Sequence, residues 1–128
     1  MKNLNSENII GIVALLVHAA KIDEQYSNKE KILIKEFIKS YLKSDYEEVL
    51  KKAEEVENNS NQLLSFTNIV KKNSIEVKSD IIEHLWKIII SDNTIDQYES
   101  NLMRRICGLI YFPDKICAEI KLKILNKK

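Results

Sequence analysis

Two glycines and one proline in 128 residues leave the chain without the turn formers that an all-β fold consumes at every hairpin. An all-α fold is therefore expected. Cysteine is scarce too: Cys107 and Cys117 stand ten apart with no His at metal-ligand spacing, which argues against a disulfide framework or a zinc knuckle. Two reduced thiols, mostly in the core of a cytoplasmic protein, are the expectation. No charge dominates, because 20 Lys and Arg face 19 Asp and Glu, so the chain has no global field to recruit nucleic acid. A long hydrophobic run is missing as well. The apolar run 9–20, IIGIVALLVHAA, falls short of the roughly 20 residues a spanning helix needs, and no membrane insertion is expected. With Lys2 ahead of it and Val17-His18-Ala19 imitating a cleavage site, this run is similar to a signal-peptide core, but Glu7 stands in what would be the basic region. It reads as a buried first helix. A chain of this length can bury a core without a staple, and residues 1–128 are expected to form one domain.

Apolar residues at three- and four-residue steps outline seven helices. The first runs from a Ser6 cap to about Lys21, with apolar residues nearly all round it, which points to a central position. The second starts near Ser27, ends near Lys43 and carries Ile34, Phe37, Ile38, Tyr41 and Leu42. Ser44 or Asp45 opens the third, Tyr46 to Val56, and the string ENNSN ends it. The fourth, about Asn61 to Lys72, uses Leu63, Leu64, Phe66, Ile69 and Val70. The fifth, about Val77 to Ile90, holds Ile81, Ile82, Leu85, Trp86, Ile88 and Ile89. The sixth, Gln97 to Leu109, turns Leu102, Met103, Ile106 and Leu109 inward. Pro113 suits the first turn of the seventh, which reaches Asn126 on Ile116, Ile120, Ile124 and Leu125. His18 and His84 read as partly buried helix residues.

A shift of 69 residues lays LLVHAAKIDEQYSNKEKILIKEFI over HLWKIIISDNTIDQYESNLMRRIC, pairing Asp23 with Asp92, Glu30 with Glu99 and Phe37 with Ile106. In both copies an apolar helix ends just before an Asp, and another begins just before a Glu seven residues on. The expectation is a bundle of two pseudo-symmetric helical-hairpin repeats.

This repeated pattern resembles the TerB-like family associated with tellurite resistance, and the related N-terminal domain of DjlA-type membrane co-chaperones. The stretch EHLWKIIISDNTIDQYESNLMRRIC carries most of the resemblance, which extends more weakly from about Ile9 to Leu125. Members commonly place Gly directly after the Asp, where Glu24 and Asn93 stand here. Asn93 enters a left-handed turn at modest cost and Glu24 less readily, so the first turn is expected to differ from the family's.

Ser27 with Glu30, and Asp96 with Glu99, have capping-box spacing, each cap worth roughly 1 kcal/mol. Asp23 and Asp92 remain, at helix C-termini where negative charge is disfavoured. Turn amides, Arg104 or Arg105, or a hard cation held by oxygen ligands would satisfy them. The metal candidates are Asp23, Glu30, Asp92, Asp96 and Glu99; the loop lacks EF-hand spacing. The resemblance implies a non-enzymatic interaction or regulatory module, linked to stress or tellurite resistance, whose acidic hairpins bind a divalent cation (Ca²⁺, Mg²⁺, Mn²⁺ or Zn²⁺) or a protein partner. A homodimer is one form it can take. The alternatives are a metal-dependent hydrolase-like enzyme, which needs both hairpins around one cleft, and a co-chaperone-like recruitment module, although no J-domain signature is present. No residue is assigned a catalytic role and no other cofactor is implied.

Overall fold

The computed structural model describes residues 6–21, 28–43, 45–59, 63–90 and 97–126. Among these stand seven α-helices and no strand: α1 (Ser6–Ala20), α2 (Asn28–Tyr41), α3 (Tyr46–Asn58), α4 (Leu63–Lys71), α5 (Ile75–Ile90), α6 (Gln97–Leu109) and α7 (Asp114–Asn126). The expected all-α bundle is what the chain forms. All seven helices contribute to one hydrophobic cluster. No helix among the described residues is long and apolar enough to cross a membrane.

α1 is the hub. Ile9, Ile12, Val13, Leu15, Leu16 and Val17 are all fully buried, so the helix has hardly any side left for water. It is covered by α3 and α4, and also touches α5 and α2. Each such side chain contributes about 1.5–3 kcal/mol when removed from water. Gly11 sits where α4 comes closest: a β-carbon there would collide with the tip of Ile69. α5 is the second buried helix, with Ile81, Ile82, Leu85, Trp86, Ile88, Ile89 and Ile90 inside; it packs against α1, α2 and α7.

Several helix ends differ from the sequence reading. α5 begins two residues before Val77, because the Ser74 hydroxyl accepts from the Val77 amide at 3.3 Å and the Lys78 amide bonds the Ser74 carbonyl at 3.0 Å, an N-cap. Asp45 occupies the N-cap position of α3 in a left-handed conformation, φ 65°, with no side-chain cap bond. Leu125 is more exposed than expected, at 37%, because it stands about 100° round the helix from Ile124. α6 ends in a Schellman motif: the Phe112 amide bonds the Cys107 carbonyl at 2.8 Å and the Tyr111 amide bonds the Gly108 carbonyl at 3.4 Å. Tyr111 takes the left-handed position, φ 59°, where glycine is usual. Pro113 then stands just before α7, its carbonyl accepting from the Cys117 amide at 3.1 Å.

The two glycines separate by substitution. Gly108 is helical and a β-carbon there meets nothing within 4 Å, so Gly108→Ala raises stability by roughly 0.5–1 kcal/mol. Gly11→Val drives branched carbons into Ile69 and destabilises by about 1–3 kcal/mol. Urea unfolding monitored by circular dichroism measures both.

Candidate functional site

Of the five acidic candidates, Asp23, Asp92 and Asp96 lie outside the described residues, as does the side chain of Glu99. Glu30 is described, and it is 6% exposed in the first turn of α2, while Asn28 and Lys29 before it are exposed. The helix dipole favours a carboxylate at that end. The helices leading into the two acidic segments are buried to their last residues, Ala20 of α1 and Ile90 of α5. Because α1 and α2 both pack against α5, the helices flanking the two segments share a core. Among the described residues no group of three or more His, Cys, Asp or Glu is placed to hold a metal ion. Of the basic residues considered as partners for Asp92, Arg105 is exposed and Arg104 lines a cavity between α5, α6 and α7.

Polar groups brace the helix ends near these segments. At the C-terminal end of α1, Lys21 Nζ donates to Glu57 Oε1 at 2.9 Å and to Asn58 Oδ1 at 2.7 Å, and His18 Nδ1 stands 3.2 Å from Glu57 Oε2. The end of α1 is thereby tied to the end of α3, with the Lys21 ammonium where the dipole favours it. Between α2 and α5, the Tyr41 hydroxyl donates to Asp80 Oδ2 at 2.7 Å. Burial and the Asp80 carboxylate push the Tyr41 hydroxyl well above its ordinary range, so it stays a donor. His84 Nδ1 donates to the Asp80 carbonyl at 2.9 Å, and its ring meets Phe37 edge-on at 5.1 Å between centroids. Both histidines are half-buried, as expected.

The cavity between α5, α6 and α7 has a volume of about 500 Å³ and is lined by Trp86, Met103, Arg104, Asp114, Cys117, Ala118 and Lys121. Cys117, which lines it, and Cys107 of α6 are both free and buried. The Trp86 indole N–H is buried and makes no well-formed hydrogen bond among the described residues. Lys121 Nζ sits 5.1 Å from the centroid of the Trp86 ring. Sequence reasoning placed both cysteines in the core, and both are buried there.

A family model described as tellurite resistance protein TerB matches residues 10–122. No curated protein and no solved structure matches the chain.

The Asp80–His84 pair makes stability pH-dependent. Burial lowers the His84 pKa from its ordinary 6.5, outweighing the favourable bond to the Asp80 carbonyl. Below that ordinary value the unfolded chain takes up a proton that the folded protein resists, so the contribution is present above pH 6.5 and lost as pH falls. Thermal melts of the wild type and of His84→Gln between pH 7.5 and 5 show the steeper fall in the wild type.

Proposed function

The chain belongs to the TerB family, and from that premise we propose that it is a non-enzymatic interaction or regulatory module, serving stress or tellurite resistance, whose acidic hairpins bind a divalent cation or a protein partner. The observation that carries this reading is Glu30. It is a hairpin carboxylate held at the start of a helix and turned into the bundle, where it is oriented before any ligand arrives and the dipole supports its charge. The family match spans residues 10–122, and so takes in both acidic segments with the helices on either side. Asp23, Asp92, Asp96 and Glu99 complete an all-oxygen donor set of the kind hard cations prefer.

A cation that binds only the folded protein stabilises it by about 2.7 kcal/mol at 100 times its Kd, which raises the Tm of a chain this size by roughly 5–10 °C. Trp86, one turn before the end of α5 and 4% exposed, is the chain's single tryptophan and serves as the optical reporter. Titration with Ca²⁺, Mg²⁺, Mn²⁺ or Zn²⁺ gives a saturable rise in Tm and a change in Trp86 emission for at least one ion, and the Asp92→Asn/Glu99→Gln variant loses both. Absence of any response to all four ions removes the cation half of the proposal. The partner half rests on affinity capture: a protein retained by the wild type and lost by the same variant, with its fold verified by circular dichroism, supports it.

A further inference from the structure

The cavity between α5, α6 and α7 is separate from the acidic hairpins, and it arises from how these three helices meet. α7 packs against both α5 and α6, while among the described residues α6 packs against α4 rather than α5. The cavity of about 500 Å³ occupies the angle so formed. Four of its residues, Asp114, Cys117, Ala118 and Lys121, recur at three- and four-residue steps and therefore share one face of α7. The floor is apolar, with Met103 1% exposed, Trp86 4% and Cys117 6%. The rim is polar: Arg104 and Asp114 are exposed and Lys121 is half-buried. Most hydrogen-bonding groups of this wall are donors. Arg104 offers a planar fork of N–H groups, Lys121 an ammonium, and Trp86 a buried indole N–H that has no partner among the described residues. The Lys121 ammonium stands 5.1 Å from the centroid of the Trp86 ring, a cation–π contact that places the charge without consuming an N–H donor. Asp114 is the one carboxylate of the wall. It lies in the first turn of α7, where the helix dipole accounts for it, and among the described residues no ion pair joins it to Arg104 or Lys121.

We propose that this cavity binds a small organic monocarboxylate, a molecule with a ring or short chain for its body and one carboxylate at its end. The body covers the floor of Trp86, Met103 and Cys117, and the carboxylate meets Arg104 and Lys121 at the rim. Three features select this ligand class. The guanidinium fork matches the two oxygens of a carboxylate. Two cations against one Asp leave a single positive charge in excess, which suits a monoanion, and Asp114 repels the second charge of a phosphate dianion. The apolar floor rewards an organic body and gives an inorganic ion nothing. A cavity of this size falls within the roughly 300–1,000 Å³ of small-molecule sites, which combine apolar walls with a few polar groups that fix orientation. An ion pair at an exposed rim contributes little alone, so affinity needs both halves of the ligand. This reading stands independently of the acidic hairpins.

The test uses the full chain in metal-depleted buffer, where Trp86, the single tryptophan, reports from the cavity wall. Cyclohexanecarboxylate is the probe, compared with cyclohexanecarboxamide, which has the same shape without the charge, and with inorganic phosphate, which has charge without a body. The expected result is a saturable change in Trp86 emission with cyclohexanecarboxylate at a Kd below about 1 mM. The amide binds at least roughly tenfold more weakly, and phosphate gives no saturable response. Saturation-transfer NMR on each probe detects binding that leaves the emission unchanged. Arg104→Gln weakens the carboxylate by roughly three- to tenfold. Lys121→Gln weakens it too and alters the emission of the unliganded protein, because the cation leaves the indole ring. Ala118→Phe, at an exposed position, fills the cavity without touching the core and abolishes binding. Circular dichroism melts verify the fold of all three variants. The proposal is overturned if both methods find no saturable binding of cyclohexanecarboxylate, or if the amide or phosphate binds as tightly as the acid. It is equally overturned if folded Arg104→Gln and Ala118→Phe both bind the acid as the wild type does.

Discussion

The structure depends on the need to cover α1. A helix whose large side chains are buried all round has no polar face with which to meet water, and it is too short to find its solvent in a membrane. Other helices must enclose it. α3 and α4 do most of this, with α2 and α5 closing the remainder, and Gly11 lets α4 approach closely enough to pack without a gap. α5, almost as apolar, then needs its own cover, which α7 supplies together with α1 and α2.

Helix ends create a further difficulty, because backbone amides at the start and carbonyls at the finish lose their intrahelical partners. The chain meets it locally. The Ser74 hydroxyl accepts from the Val77 amide at the start of α5, the Schellman turn after α6 satisfies the carbonyls of Cys107 and Gly108, and where α1 stops Lys21 and His18 tie the helix to the Glu57 carboxylate of α3. That Schellman turn also redirects the chain into α7. The tension it accepts is a tyrosine in the left-handed region, φ 59° at Tyr111, where an L side chain is disfavoured by roughly 1–2 kcal/mol.

Most of the fold was legible in the sequence. Seven periodic segments became seven helices, and the positions read as inward on α5, among them Ile81, Leu85 and Trp86, are buried. Periodicity reports which face of a helix avoids water, and that property is local. The Ser74 cap and the exposure of Leu125 were missed, because a cap forms only when the preceding turn delivers its oxygen, and a residue at the edge of an apolar stripe is covered only if a neighbour extends that far. Glu30 was legible as a helix-start carboxylate, but its burial was not, since a capping residue can equally stand in solvent.

From the sequence alone came an all-α chain, the order of its helices and the two acidic segments with their flanking apolar runs. These follow from side-chain spacing along one chain, which a linear reading captures. Tertiary structure alone decided that Glu30 turns inward, that Asp80 joins Tyr41 to His84, and that Trp86, Cys117 and Lys121 line one cavity. Each of these joins residues from different helices or across a turn, and their meeting is set by how the covers over α1 and α5 pack, a condition no single segment carries.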